Sequence, residues 1–301
     1  MKHQKHIKNS PISDGKLIPF LICKDYTLSN REFRLLKDNK ANFLITSPRP
    51  KEEDLMHYYN SDNYISHSDS KDSFIDKIYQ KVRLYTTKSK VKKIAKLKDN
   101  IYNVLDVGCG TGDFLRECLQ KNWKVFGIEP HRGARNIAKQ KINTNNLYNA
   151  IEVLEQQNPK QKFDIITLWH VLEHVPNLIS YIKSLKRLLK PDGILIIAVP
   201  NFLSYDAKFY KEFWAAYDVP RHLWHFSPTA IKLLFKKVDL HVVSFWPMIF
   251  DSFYISLLSE KYKNNRVNII RAAIVGLFSN IKALFSKNYS SLTYILQNRV
   301  K

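Results

Sequence analysis

The spacing of apolar residues changes period along this chain, and the changes mark its elements. Val104, Leu105 and Val107 form one short apolar run; Val125, Phe126 and Ile128, then Phe163–Trp169, then residues 194–199 form three more. Short runs of this kind predict strands buried on both faces, as in a parallel sheet. Between them apolar positions recur every three or four residues: Phe114, Leu115, Cys118 and Leu119, the stretch 132–141, and Ile179, Ile182, Leu185, Leu188 and Leu189. That period predicts helices. A weaker strand is predicted over 147–153, and a turn at Lys190-Pro191-Asp192-Gly193. Ser227 before Pro228 reads as an N-cap with proline at the first helical position, followed by Ile231, Leu234 and Phe235 on one face. Residues 241–245 predict a sixth strand. Residues 291–296 predict a seventh, paired beside the sixth. The alternation predicts an α/β fold: a doubly wound, Rossmann-like, mostly parallel sheet of seven strands.

This pattern divides the chain. Residues 1–20 are polar and basic, are broken by Pro11 and Pro19, and read as a disordered leader. Residues 21–88 read as a small N-terminal module and helix, with strand-like pieces at 21–23 and 41–46 and helical spacing from Phe74 through Ile78, Val82 and Tyr85. A second basic helix carries Val91, Ile94 and Leu97. The core runs over 89–301, with an aromatic segment at 201–227 and an insertion at 247–289 between the last two strands.

The chemistry concentrates after the first core strand. Gly108, Gly110 and Gly112 stand at every second position, with Asp106 before them and Asp113 after. Glycine is needed where the backbone must take angles that a Cβ forbids and where a ligand must lie on the backbone. A pyrophosphate-binding turn is spaced G-x-G-x-x-G. Here the spacing is G-x-G-x-G, and two carboxylates beside it would repel pyrophosphate. They suit a ligand with cationic groups, such as the ammonium and sulfonium of S-adenosylmethionine. Glu129 ends the next strand, where it can accept hydrogen bonds from both ribose hydroxyls.

The order of strand, glycine turn, helix, strand and acid resembles the class I S-adenosylmethionine-dependent methyltransferases. The resemblance implies S-adenosyl-L-methionine as cofactor, held by Asp106, Gly108, Cys109, Gly110, Gly112, Glu129, Pro130, Trp169 and His170. It places Ala150, Ile151 or Glu152 against the adenine. Many small-molecule methyltransferases of this type begin with a zinc knot of cysteine pairs, then a P-x-P turn and a Tyr-Tyr segment. This chain is similar in Pro48-Arg49-Pro50 and Tyr58-Tyr59, but keeps only Cys23. Structural zinc needs about four N or S ligands, so no metal is expected. The run Asp218-Val219-Pro220-Arg221-His222-Leu223 resembles one bacterial subfamily of these enzymes.

Ligands of open α/β sheets lie beyond the carboxyl ends of the strands. That rule selects His170 and Glu173 after the fourth strand, Asn201 and Tyr205 after the fifth, and Met248, Asp251 and Tyr254 after the sixth. Residues 214–226 hold Trp214, Trp224, two histidines, an Arg and an Asp. This density predicts a lid, its tryptophans both covering ligand and packing the segment down. Methyl transfer is an in-line displacement, and alignment alone can supply roughly 7–11 kcal/mol. A hydroxyl acceptor also needs a base, and a histidine suits that task. His170, His174, His222 and His225 are available. His170 ranks first on the cofactor side and His222 on the substrate side, with Asp218 and Arg221 beside it; His174 can instead cap the helix or pair with Glu173.

Composition bounds the partners. The chain has 301 residues, 45% of them hydrophobic, and a net charge of +21. The charge permits contact with nucleic acid, anionic lipid or acidic substrates. The lysines are scattered and no RNA-binding module is seen, so no nucleic-acid partner is expected. Three cysteines without a pair fit a reduced cytoplasmic setting. No run of eighteen uncharged apolar residues predicts a transmembrane helix. The expected function is therefore methyl transfer to a small-molecule or lipid-like acceptor. The alternatives are an RNA or protein methyltransferase, or a non-catalytic S-adenosylmethionine-binding protein. Within the insertion, apolar residues from Ile269 to Phe285 recur at helical spacing among Arg266, Arg271, Lys282 and Lys287. That helix either packs on the core or a twin subunit, or lies on a membrane with peripheral contact. In both versions it should wall a pocket for an apolar acceptor.

Overall fold

The structure, a computed structural model, describes residues 4–59 and 74–298. Its strands are Gln4–Lys5 (β1), Leu17–Lys24 (β2), Glu32–Asp38 (β3), Phe43–Thr46 (β4), Arg49–Pro50 (β5), Asn103–Val107 (β6), Lys124–Ile128 (β7), Leu147–Tyr148 (β8), Phe163–Trp169 (β9), Leu189–Pro200 (β10), Trp224–His225 (β11), Leu240–Pro247 (β12) and Ser291–Asn298 (β13). Its helices are Glu52–Leu55 (α1), Phe74–Ile94 (α2), Asp113–Leu119 (α3), Arg132–Ile142 (α4), Ile151–Gln157 (α5), Leu178–Leu188 (α6), Tyr205–Tyr210 (α7), Pro228–Lys236 (α8), Asp251–Asn264 (α9) and Ile269–Ser286 (α10).

Seven strands form the main sheet in the order β12-β13-β10-β9-β6-β7-β8. β6 pairs in parallel with β7 on one side and β9 on the other, Val104 facing both Val125 and Ile165. The chain moves outward from β6 through β7 to β8, then returns to β9 and moves the other way. The reversal point at the carboxyl end of β6 is where open α/β sheets bind ligands. It is also where the three glycines stand. The six residues from Phe163 to Leu168 in β9 are all buried, as a central parallel strand requires.

Several elements depart from the sequence expectation. The expected leader contains β1, which pairs with Arg49 and Pro50, and the first half of β2, which runs along β3. Its alternating Leu17, Pro19 and Leu21 pair with Asp38, Leu36 and Leu35, so Pro11 and Pro19 do not keep it loose. The two expected helices before the core are one, α2. The third strand is two residues long; Ile151 and Leu154, both buried and three apart, turn the rest into helix α5. The expected turn 190–193 lies within β10. Ser227 caps α8 as expected, its hydroxyl accepting from the Ala230 N–H at 3.1 Å, with Pro228 in the first turn. Residues 60–64, beyond Tyr58-Tyr59, lie outside the described residues.

The chain divides into two compact units. One comprises Asp62–Val171, Ile182–Ile197 and Ile295–Lys301, with β6–β9 and α2–α5. The other comprises Met1–Ser61, Leu172–Tyr181 and Ala198–Tyr294. In this second unit β11 joins the N-terminal strands in a four-stranded sheet ordered β11-β4-β3-β2. Trp224 pairs with Ile45 and His225 with Leu44. The N-terminal module and the 214–226 segment thus share one core, in which Phe33, Leu35 and Leu44 pack with Phe202, Trp214 and Tyr217.

Candidate active site

The glycine turn belongs to the first unit. Gly108, Gly110 and Gly112 have φ of 73°, 53° and 81°, all in the left-handed region that favours glycine. The reasons for lacking a Cβ differ. At Gly108 a Cβ would lie 2.4 Å from Val171 Cγ2, and at Gly112 it would press on Ala138 at 3.1 Å. At Gly110 it would meet nothing within 4 Å. The space above Gly110 is therefore open, as a ligand laid directly on the backbone requires.

Glu129 is tied to this turn. Its Oε2 accepts from the Gly110 N–H at 2.9 Å, and its Oε1 accepts from the His131 N–H at 2.9 Å. Each carboxylate oxygen has a second lone pair for a diol. Asp106 is buried and accepts from Thr167 Oγ1 at 2.6 Å. Burial pushes its carboxyl up to about 7, although the Thr167 bond and the Lys90 ammonium oppose this. A cation placed beside Asp106 would favour its ionised form. Cys109 is buried, and burial raises its thiol far above the ordinary range, so it stays protonated. The carbonyl of Pro130 accepts from Arg135 Nη1 at 3.0 Å.

Trp169 ends β9. Its ring meets Phe114 edge-on at 5.5 Å, and the Lys90 ammonium lies 4.0 Å from its centroid. Its indole N–H is buried without an acceptor among the described residues. His170 follows with φ 56°, a left-handed conformation uncommon for a residue with a Cβ. Asp113 does not serve a ligand as the sequence suggested. It pairs with Arg83 at 2.6 Å and Lys141 at 2.7 Å. Burial alone would raise its carboxyl, but these two cations hold it below the ordinary range. Of the proposed adenine contacts, Ile151 is buried, Glu152 is exposed, and Ala150 precedes α5 without a side-chain cap.

The second unit holds the remaining sequence-selected residues. Asp218 and Arg221 form a bidentate pair, and Arg221 also reaches Thr27. Burial alone would raise the Asp218 carboxyl, but the Arg221 guanidinium, with His222 and His174, holds it below the ordinary range. His222 Nδ1 lies 2.8 Å from the Ala216 carbonyl. A carbonyl only accepts, so Nδ1 carries the hydrogen and Nε2 is the basic atom. His174 Nδ1 is 3.1 Å from the Arg221 carbonyl. Burial, then His222, lowers its pKa to about 4. His225 is likewise kept neutral by burial, and its Nε2 meets Thr46 Oγ1 at 3.1 Å. The donor atoms of Glu173, His174 and His222 lie within 4.8 Å of one another, a three-donor set capable of holding a divalent ion.

The tryptophans of this unit are packed. Trp214 Nε1 donates to Asp206 at 2.7 Å; Trp224 Nε1 donates to the Val175 carbonyl at 2.6 Å, its ring stacked on Phe43 with the Arg49 guanidinium over it at 4.4 Å. Asn201 is also structural, its amide donating to the Tyr289 carbonyl. Tyr205 lies under Lys282, the Met248 N–H donates to the Ser291 carbonyl, Asp251 opens α9 and Tyr254 is exposed. Cys23 is buried, with no cysteine partner, beside an aromatic cleft lined by Tyr26, Trp214, Tyr217 and Tyr262. Thr167, Lys90, Arg83 and Lys141 were missed by sequence reasoning. Only Thr167 left a signal there, as a hydroxyl in an apolar run.

Comparison with known proteins places this geometry. The methyltransferase domain family matches residues 73–245. The ubiquinone biosynthesis O-methyltransferase of Glaesserella parasuis is 42% identical over 106 residues, covering 33% of this chain and 45% of that protein. That of Rhodopseudomonas palustris is 32% identical over 102 residues, covering 33% and 40%. The chain thus spans less than half the length of these curated relatives. The Synechocystis PCC 6803 magnesium protoporphyrin IX methyltransferase, solved with bound S-adenosylhomocysteine, superposes with a TM-score of 0.53 at 14% identity, over 83% of this chain and 100% of that one. The likeness to that structure is one of fold. The family match covers more than half of the sequence and contains the whole glycine turn, so this chain belongs to the methyltransferase domain family and is a class I S-adenosylmethionine-dependent methyltransferase.

Proposed function

We propose that the protein methylates a hydroxyl of a small, largely apolar acceptor. The observation that carries the cofactor assignment is the open space over Gly110, whose N–H donates to Glu129. In this reading Glu129 binds the ribose hydroxyls and Gly108, Cys109 and Gly110 supply the floor. Asp106 favours the cationic end, Pro130 continues the floor after Glu129, and Trp169 and His170 border the cofactor. When bound, S-adenosylmethionine supplies an electrophilic methyl group. The chain's own residues must orient the acceptor and take its proton. His222, with Nδ1 committed to a carbonyl and Nε2 basic, is the proposed base; Asp218 and Arg221 position its loop. The Asp218-Val219-Pro220-Arg221-His222-Leu223 run is proposed to mark a bacterial subfamily, and the enzyme is proposed to act in the cytoplasm. The O-methyltransferase relatives support the hydroxyl acceptor.

Incubation with methyl-labelled cofactor and fractionated bacterial extract tests this. Label should appear in the organic-soluble small-molecule fraction, and His222→Gln should lower turnover far more than cofactor affinity. Label confined to RNA or protein would overturn the acceptor class.

A further inference from the structure

We propose that helix α10 docks this protein on anionic lipid membranes, lying in the surface plane with its outer face immersed. The inference stands apart from the acceptor assignment and rests on how α10 is oriented. Its inward residues are small: Ala272, Gly276, Ser279 and Ala283, with Val275. Its large apolar residues face out. Ile270 is 76% exposed and Phe285 86%, and Ile274, Leu277, Phe278 and Ile281 form the stripe between them. A water-facing helix of a soluble protein shows the opposite pattern. A continuous apolar face of this kind marks an interaction surface. The exposed Ile249 extends it, because its carbonyl accepts from Asn280 of α10.

Charge selects the occupant. After Glu260 the chain contains no Asp or Glu through to Lys301, but eight Lys and Arg. Glu260 itself is buried and engaged by Arg271, Tyr210 and Asn264. Arg266, Lys282 and Lys287 are exposed at the ends and flank of the apolar stripe. Two copies meeting through this face would oppose like-charged rims, which disfavours a dimer. Anionic headgroups complement the rim while the acyl boundary takes the apolar residues.

The helix lies on the membrane and does not cross it. By length and hydropathy α10 is able to span a bilayer. It is pinned, however, by Ser279 Oγ donating to the buried Asp206 at 2.6 Å and by Ser252 Oγ donating to the Gly276 carbonyl at 3.1 Å. At Gly276 a Cβ would lie 2.7 Å from the Phe253 ring, so α9 and α10 touch closely. Insertion across the bilayer would strip these bonds and take the Ser279 donor from the buried Asp206 carboxylate.

Flotation of the full chain tests the proposal, using vesicles of phosphatidylcholine alone and of phosphatidylcholine with phosphatidylglycerol. The protein should float only with the anionic vesicles, and less at high salt. Phe278→Asp with Phe285→Asp should reduce flotation at least about tenfold, since both side chains carry the immersed face. Arg266→Glu and Lys287→Glu should each reduce it about fivefold. Thermal unfolding and cofactor titration of each variant should match the parent, because none of these side chains is buried. Absence of flotation by the parent, or equal flotation by the double variant, overturns the proposal. A non-floating protein whose size in solution halves in the double variant assigns the face to a second copy instead.

Discussion

The glycine cradle and the composite second unit are built by opposite strategies. The cradle draws its groups from residues 103–129 with β9: Gly110 and His131 donate to Glu129 close by in sequence, and Thr167 of β9 donates to Asp106. The second unit is assembled from segments far apart. Trp224 pairs with Ile45, Arg49 donates to the Pro176 carbonyl at 3.1 Å, and the Leu223 N–H donates to the Glu173 carbonyl at 2.8 Å. The difference shows in what the same residue types do. In the cradle, Glu129 holds the N–H of Gly110, over which the space is open. Acids in the second unit, such as Asp206 and Glu260, are enclosed by hydroxyls, an indole and a guanidinium. In the first, Glu129 holds the N–H groups of Gly110 and His131 while Asp113 is taken up by Arg83 and Lys141; in the second, Asp206 and Glu260 specify the packing.

The largest expected effect breaks the second unit. Asp206 accepts from Trp214 Nε1, Ser279 Oγ and Ser290 Oγ. Asp206→Ala leaves three buried donors without an acceptor, each costing about 1–3 kcal/mol. A loss of at least about 3 kcal/mol in denaturant stability is expected; a loss below about 1 kcal/mol would mean that this acid is not the unit's anchor. Next, Glu129→Ala should weaken cofactor binding by about 1.5–3 kcal/mol with little change in unfolding of the second unit. A variant that instead unfolds would make Glu129 a structural residue of the turn.

The third effect is a pH dependence. The free protein holds the Asp106 carboxyl up to about 7, above its unfolded value. Its protonated form is therefore favoured by folding, and this contribution to stability is lost as pH rises from about 4 through 7. A cationic ligand prefers the ionised form, so cofactor affinity should rise between about pH 6 and 8. Asp106→Asn should flatten both slopes; a slope unchanged in that variant would remove Asp106 from the binding site. The smallest signal expected is metal. Elemental analysis of untagged protein should show well below one zinc per chain. A stoichiometric ion that disappears in His222→Ala would place it at Glu173, His174 and His222 and refute the expectation.

The two regions also differ in how far they could be read from sequence. β6, the turn, α3, β7 and Glu129 follow one another, so period, glycine spacing and an acid at a strand end suffice to place them. The full length of β9 was legible because its run is apolar except at Asp164 and Thr167. The bounds of β10 were not, since Pro191 and Gly193 mimic a turn inside a strand. The second unit resists because its partners are set by tertiary contact: nothing near Trp224 announces Ile45, and Glu173 and His174 lie far along the chain from His222. The outward face of α10 was visible as a stripe, but period alone cannot say whether the apolar or the small-residue side faces inward. Ser279 and Gly276, which hold it against Asp206, Ser252 and Phe253, settle that only in three dimensions.

Calorimetric titration of the purified chain with S-adenosylmethionine and, separately, with NAD tests the central claim most directly. The acid-flanked G-x-G-x-G turn predicts stoichiometric binding of S-adenosylmethionine, weakened in Glu129→Ala, and no heat from NAD. Binding of NAD with none of S-adenosylmethionine would contradict it.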